Sequence, residues 1–333
     1  MYLQYYLIYM QDMKYILITG GAGFLGSNLC KYLLKDERNF IYCVDNLITG
    51  NKKNLEEIMD HPRFSFYEYD ITCLTVPIDL RFVWLNEIYH LACIASPPKY
   101  KSHSLETLIT SFQGTKNMLE LARVSNSKIL FSSTSEVYGD PLIHPQTEEY
   151  YGNVNTVGER SCYDEGKRVA ETLIYEYRRL YNVDAKIVRI FNTYGPFMDI
   201  DDGRVITNFI KQVAANMPLI INGNGSQTRS FCYVDDMIEG LYKMMDSDEK
   251  GPINIGNPFC EFSLNELVVK FEDCYSKKLK VVYIESTEND PKQRKPDISK
   301  ANKLLGWTPK ITLDVGLQKT IDYFKSSSDS FHL

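Results

Sequence analysis

A short apolar run, Tyr15-Ile16-Leu17-Ile18-Thr19, leads directly into Gly20-Gly21-Ala22-Gly23-Phe24-Leu25-Gly26, and Leu29, Leu33 and Leu34 then recur at helical spacing. A continuous apolar run of this length fits a strand buried on both faces. Glycines at 20, 23 and 26 permit a tight turn, close approach of backbone to a pyrophosphate and close packing of helix on strand. A glycine triplet alone says little, but placed between a strand and a helix it points to a dinucleotide site. A second apolar run, Phe40 to Val44, ends in Asp45. That spacing suits an acid that grips the adenosine ribose hydroxyls. The carboxylate would repel a 2′-phosphate and no arginine follows it, so the expected cofactor is NAD, not NADP.

Strand and helix patterns then alternate. Phe64 to Tyr69 leads to Asp70-Ile71, and Glu87 to Leu91 leads to Ala92-Cys93. A helical pattern from Ser104 to Arg123 precedes a strand from Lys128 to Phe131, and a helix from Tyr163 to Tyr181 precedes a strand from Ala185 to Ile190. This alternation predicts an α/β fold built on a doubly wound parallel sheet. Ligands of such sheets lie beyond the carboxyl ends of the strands, where Gly20, Asp45, Asp70, Cys93, Ser133 to Glu136 and Asn192 gather. After Gly195-Pro196 the pattern loosens into helical stretches near 204–215, 235–247, 263–276 and 312–326, with short strands near Ile220, Ile253 and Val282. The expected organisation is an N-terminal extension over 1–13, a dinucleotide-binding domain over 14–195, a smaller substrate-binding α/β region over 196–326 interlocked with it, and a tail over 327–333.

The chain of 333 residues is ample for a real core, and a net charge of -6 argues against a nucleic-acid footprint, which needs a basic face. The eight cysteines form no CxxC pair and read as reduced thiols of a cytoplasmic protein, with no metal site expected. The apolar opening from Met1 to Met10 is far short of the ~20 residues that span a bilayer, so no membrane association is expected.

Tyr163 is the only one of 24 tyrosines followed four residues later by a lysine, Lys167. On a helix that spacing puts both side chains on one face. A phenol is a poor base at neutral pH, but an adjacent ammonium is expected to favour the phenolate and lower its pKa. Such a pair suits removal of a proton from a sugar hydroxyl while a hydride leaves for a nicotinamide.

Several longer segments join these features. They are Ser133-Thr134-Ser135-Glu136-Val137-Tyr138-Gly139-Asp140, Cys162-Tyr163-Asp164-Glu165-Gly166-Lys167-Arg168, Ile190 to Pro196, Asp202-Gly203-Arg204-Val205, Gly225 to Arg229 and Arg294-Lys295-Pro296-Asp297-Ile298. With them the chain resembles, from Tyr15 to Phe324, the extended short-chain dehydrogenase/reductases that act on nucleotide sugars, and among these the UDP-glucuronate decarboxylases. The resemblance implies a Rossmann domain and a small-molecule substrate, UDP-glucuronate, converted through a 4-keto sugar to UDP-xylose and CO2, with NAD regenerated in each cycle. It implies that Tyr163, Lys167, Thr134, Ser135, Glu136 and Arg294 carry the chemistry. NAD would be held by Gly20, Gly23, Phe24, Leu25, Gly26, Asp45, Asn46, Thr49, Gly50, Asp70, Ile71, Leu91, Cys93, Thr110, Ser132 and Thr193, together with Tyr163 and Lys167. Tyr100, Asn192, Arg204, Arg229 and Arg294 would hold the substrate. Relatives pair through helices equivalent to 104–123 and 162–181, which implies a homodimer.

Three other readings stay in view. A nucleotide-sugar 4,6-dehydratase needs an acid to protonate a departing 6-hydroxyl, and serine occupies the position after Thr134. A 4-epimerase needs the keto sugar to rotate before the hydride returns, and usually has no glutamate at the position of Glu136. A non-catalytic NAD-sensing protein tends to lose the tyrosine or the lysine, and both are present here.

Overall fold

The computed structural model describes residues 13–73, 85–285 and 293–326. All but Met13 of the expected N-terminal extension, and the whole of the expected tail, lie outside the described residues.

Six strands come from the first part of the chain: β1 (Lys14–Thr19), β2 (Asn39–Asp45), β3 (Phe64–Glu68), β4 (Glu87–His90), β5 (Lys128–Thr134) and β6 (Ala185–Ile190). Later strands are shorter: β7 (Thr193–Tyr194), β8 (Leu219–Asn222), β9 (Thr228–Ser230), β10 (Cys232–Tyr233), β11 (Ile253–Ile255), β12 (Glu261–Ser263), β13 (Val281–Ile284) and β14 (Gln293–Arg294). The main sheet has seven strands in the order β11-β6-β5-β4-β1-β2-β3. Every pairing in it is parallel. The strand order reverses between β1 and β4, which opens a crevice at the carboxyl edge. The sequence alone assigns the strand near Ile253 to the smaller region. The structure places it beside β6 instead, where Ile253, Asn254 and Ile255 are all buried.

The ten helices described are α1 (Phe24–Leu33), α2 (Pro97–Ser102), α3 (Ser104–Ile109), α4 (Thr115–Ser125), α5 (Ser161–Tyr181), α6 (Val205–Ala214), α7 (Val234–Asp246), α8 (Leu264–Tyr275), α9 (Ser299–Leu305) and α10 (Leu313–Ser326). The single helix expected over 104–123 is α3 and α4 joined by one π turn, Thr110–Gly114. Asn126 and Asn182 take the left-handed conformation that ends α4 and α5. Strand alternation splits the core in two. Ile16, Ile18, Ile41, Cys43 and Val188 face one layer, which contains Leu29 of α1 and Met237 and Leu241 of α7. Leu17, Tyr42, Ile88, Ile129 and Ile187 face the other, with Leu119 of α4 and Ala170 and Ile174 of α5. Burying each such side chain contributes about 1.5–3 kcal/mol, which is what keeps helices of this length folded.

The glycine turn joins this packing to the crevice. Gly20 has φ +71, a conformation other residues avoid. A Cβ on Gly26 would lie 2.1 Å from the Gly20 carbonyl oxygen and 2.6 Å from the Gly21 Cα, so the first turn of α1 can rest on the loop only with glycine there. Gly26→Ala is therefore expected to destabilise the protein by about 1–3 kcal/mol in urea unfolding, the usual cost of overpacking against rigid backbone.

Candidate active site

A cavity of about 770 Å³ lies over the carboxyl edge of the main sheet. Its floor is made by the residues that end or follow β1, β2, β4, β5 and β6, among them Gly20, Asp45, Leu91, Thr134 and Asn192. The smaller region supplies the opposite wall through Arg204, Ile220, Asn222, Gln227, Arg229 and Leu264.

At the glycine end, Asp45 is buried and its two oxygens accept from the backbone N–H of Ala22 at 3.0 Å and of Leu47 at 2.8 Å. Burial raises its pKa, and the N–H donors of Leu47, Ala22 and Gly23 offset part of that rise. Gly50 sits over this carboxylate so closely that a Cβ there would come 2.6–2.8 Å from its atoms. Glycine at 50 thus leaves room above the carboxylate, and the chemistry of the set fits a dinucleotide: open glycine backbone for a pyrophosphate and an acid for ribose hydroxyls. Asn46 donates to Asp70 at 3.2 Å. Asp70 does not itself line the cavity and holds Asn46 from behind, also accepting from Thr72.

Tyr163 and Lys167 enter from the first turns of α5, both buried and both on the cavity wall. The Tyr163 ring stacks on Tyr100 at 5.2 Å, nearly parallel. The Lys167 ammonium donates to the Ser132 carbonyl at 2.7 Å and lies 5.9 Å from the centre of the Tyr163 ring. The lowered phenol pKa expected from the spacing is not what the protein alone provides. Burial dominates and raises the Tyr163 pKa, nearby Cys93 adds to the rise, and the Thr134 hydroxyl offsets only part of it. Burial also lowers the pKa of Lys167. The lysine is directed at backbone, and the pair is a protonated tyrosine beside a desolvated ammonium. Beneath it, His90 bridges the Thr19 and Thr115 hydroxyls at 2.9 and 3.0 Å, and burial depresses its pKa to about 3, so it is a neutral strut between strand and helix.

Beyond Tyr163 the cavity becomes ionic. Thr134 ends β5 and its hydroxyl accepts from the Glu136 N–H at 3.2 Å, starting the single turn Ser135–Tyr138. That turn aims the Glu136 carboxylate at two arginines. Arg160 donates to Glu136 Oε2 at 2.6 Å and Arg294 donates to the same oxygen at 3.1 Å. Burial opposes the charge on Glu136, but Arg294, Arg160 and Arg229 outweigh it and hold the carboxyl down at about 2. Asp164 is treated oppositely. Burial first and Glu136 second push it up to about 7, its Oδ1 finds no hydrogen-bond partner, and its Oδ2 lies 3.9 Å from Arg160 Nε. Arg204 donates from Nη1 to both Asp202 oxygens at 2.8 and 2.9 Å and from Nη2 to the Ala95 carbonyl at 2.7 Å.

Of the residues singled out in the sequence, all but Asp70 and Arg294 line this cavity. Arg294 is 1% exposed; it donates to the Ser135 carbonyl at 2.5 Å and to Glu136, so it braces the turn and does not face the cavity. The sequence model of the GDP-mannose 4,6 dehydratase family matches residues 17–320. UDP-glucuronic acid decarboxylase 6 of Arabidopsis thaliana is 52% identical over 93% of this chain and 88% of its own length. UDP-glucuronic acid decarboxylase 1 of Xenopus tropicalis is 45% identical over 95% of this chain and 73% of its own. The chain belongs to the UDP-glucuronic acid decarboxylase family. Among solved structures, UDP-glucuronic acid 4-epimerase of Bacillus cereus, in complex with UDP-glucuronic acid and NAD, superposes with a TM-score of 0.84 at 29% identity, covering 94% of this chain and 99% of that one. The dTDP-glucose 4,6-dehydratase of Bacillus anthracis in complex with NAD gives 0.83 at 26% identity, covering 95% and 98%. These neighbours fit the seven-stranded parallel sheet and the carboxyl-edge cavity. Sequence reasoning about this family member overlooked Arg160, whose only signal is a position three residues before Tyr163, and gave no role to Asp164.

The opposite shifts of the two acids set opposite stability slopes. Asp164 keeps its proton in the folded protein to about pH 7 but loses it near 4 when unfolded, so between these values its burial costs stability progressively as pH rises. Glu136, held at about 2, adds stability above its unfolded value near 4.5, and that stability is lost as pH falls toward 2. Asp164→Asn is expected to gain stability relative to the unsubstituted protein between pH 4.5 and pH 8, measured by urea unfolding at both; a pH-independent difference would contradict the environment assigned to Asp164.

Proposed function

We propose that this protein converts UDP-glucuronate to UDP-xylose and CO2, using NAD that is regenerated in each cycle. The observation that carries the reading is the joint placement of Tyr163, Thr134, Ser135 and Glu136 in one cavity with the glycine turn and Asp45, in a chain about half identical to the family's members. NAD, when bound, accepts a hydride from the sugar and returns it.

The residues of this chain supply the rest. Gly20, Gly23 and Gly26 give the pyrophosphate open backbone, and Asp45 takes the adenosine ribose. Tyr163 removes the C4 hydroxyl proton. Its pKa is high in the protein alone, Lys167 included, so it becomes a base only with further positive charge close by, from a nicotinamide. Oxidation at C4 gives a 4-keto sugar whose carboxylate is β to the ketone; as CO2 leaves, its electron pair becomes an enolate. Tyr163, now protonated, and the hydroxyls of Thr134 or Ser135 donate to that oxyanion. Carbon C5 then takes a proton before the ketone is reduced. Asn192, Arg204 and Arg229 hold the diphosphate, the arginines through charge-assisted hydrogen bonds. Arg294 contributes by fixing Ser135 and Glu136.

The substitution that separates this reading from a 4,6-dehydratase is Ser135, where an acid for a departing 6-hydroxyl is lacking. Proton NMR of the products from NAD and UDP-glucuronate tests it. UDP-xylose with CO2 is expected; UDP-galacturonate would mean epimerisation, and an unchanged substrate would overturn the reading. Tyr163→Phe is expected to keep NAD bound and to lose turnover by ~100-fold or more in the same assay.

We also infer a homodimer in a reducing, cytoplasmic setting. All eight cysteines are free thiols, and no helix among the described residues is long and apolar enough to cross a membrane. Leu105 (70% exposed), Leu108, Ile109 and Phe112 are exposed on α3 and the π turn, and Tyr175, Leu180 and Tyr181 are exposed on α5. A second copy of the same helices would cover these exposed apolar side chains. Leu105→Asp combined with Ile109→Asp is expected to shift the protein from dimer to monomer in sedimentation velocity.

A further inference from the structure

Charge in the ionic part of the cavity does not balance. Arg160 and Arg294 both point at one carboxylate oxygen, Glu136 Oε2. Arg204 is matched separately by Asp202. Asp164 is the remaining acid beside Arg160, but its nearer oxygen is 3.9 Å away, beyond hydrogen-bond distance. Burial and the neighbouring Glu136 also push Asp164 up to about 7, so near neutral pH it offsets only part of the second positive charge. The shortfall falls on the wholly buried Arg294, whose pKa burial lowers, whereas burial of Arg160 is outweighed by Glu136, Tyr100 and Asp164, so that Arg160 stays firmly charged.

The two arginines differ in reach. Arg294 is 1% exposed and does not line the cavity, whereas Arg160 does. Arg160 stands just before α5, one helical turn ahead of Tyr163, whose N–H is bonded to the Arg160 carbonyl at 3.0 Å. Tyr100, stacked on Tyr163, lies within the electrostatic field of Arg160 and is 1% exposed, and its hydroxyl finds no hydrogen-bond partner. A guanidinium and an unused phenolic donor therefore flank the base. In a glucuronate the carboxyl carbon is attached to C5, next to the C4 on which Tyr163 acts.

We propose that Arg160, assisted by the Tyr100 hydroxyl, recognises the substrate carboxylate and thereby sets the preference for a sugar acid over a neutral sugar. The inference rests on the proposed function and adds the residue that reads the acid. Glu136 keeps hold of Arg160 throughout, so the substrate carboxylate receives a shared donor. The charge can then leave the carboxylate for the developing enolate oxygen without breaking a full ion pair.

The test uses NAD-loaded protein carrying Tyr163→Phe, so that bound substrate is not consumed, and titration calorimetry with UDP-glucuronate, UDP-glucose and UDP. Adding Arg160→Gln is expected to weaken UDP-glucuronate by about 10-fold or more while UDP-glucose and UDP change by less than about 2-fold. Unchanged UDP affinity shows that the fold is intact. Arg160→Lys keeps a charge beside Glu136 but not the fork, and is expected to give a smaller loss confined to UDP-glucuronate. Equal losses for UDP-glucuronate and UDP-glucose in either variant, or no loss for either ligand, would overturn the proposal. Product analysis of the unsubstituted enzyme reads the proposed function separately: no CO2 release together with a carboxylate-selective loss would remove that function and leave the recognition assignment standing.

Discussion

A single carboxylate oxygen, Glu136 Oε2, joins three parts of the chain that are far apart in sequence. Glu136 belongs to the turn that leaves β5, Arg160 to the start of α5, and Arg294 to β14 in the smaller region. Because Arg294 also holds the Ser135 carbonyl, the turn bearing Thr134, Ser135 and Glu136 is fixed from the smaller region as well as by its own strand. An ion pair in water contributes little, but this one is desolvated, and removing Glu136 would leave two guanidinium groups without the carboxylate they share. Such an arrangement is a poor way to gain stability and a good way to fix positions. It keeps one acid ionised while its neighbour Asp164, a few ångströms from the same arginine, retains its proton near neutrality.

The same low-polarity surroundings explain the tyrosine. A base is needed only while a cofactor is present, and Tyr163 is built so that the protein alone keeps its proton on. The chemistry assigned to it in the proposed function is thereby coupled to occupancy of the nicotinamide position, since the charge needed to lower its pKa is largely external to the chain.

Much of the fold was legible because its signals are local. The buried run at Tyr15–Thr19, the glycines that follow and the repeated β-α alternation each specify their own structure, and helices such as 205–214 and 264–275 fall within a residue or two of their sequence patterns. The glycine positions and Asp45 were legible for the same reason. Less visible was whatever depends on partners distant in sequence. Ile253–Ile255 carries no mark of which sheet it joins, and the π turn at Thr110–Gly114 has no residue that demands it. Asp70 and Arg294 sit in motifs that resemble a ligand site, yet one stands behind Asn46 and the other behind Glu136. The sign of the Tyr163 shift was misjudged because spacing reports the neighbouring charge and not the depth of burial.

The position of β11 has a consequence for how the chain is made. β6 ends at Ile190, but the strand that covers its outer edge is not translated until residues 253–255. A nascent chain that has completed the first six strands therefore exposes an apolar parallel edge, including Val188, for more than 60 further residues. Parallel pairing across so long a loop is entropically slow, and an uncovered edge of this kind is where stray strand pairing begins. Synthesis halted near residue 195 should thus yield a fragment prone to aggregate or to require chaperones, despite containing every glycine and acid of the dinucleotide crevice.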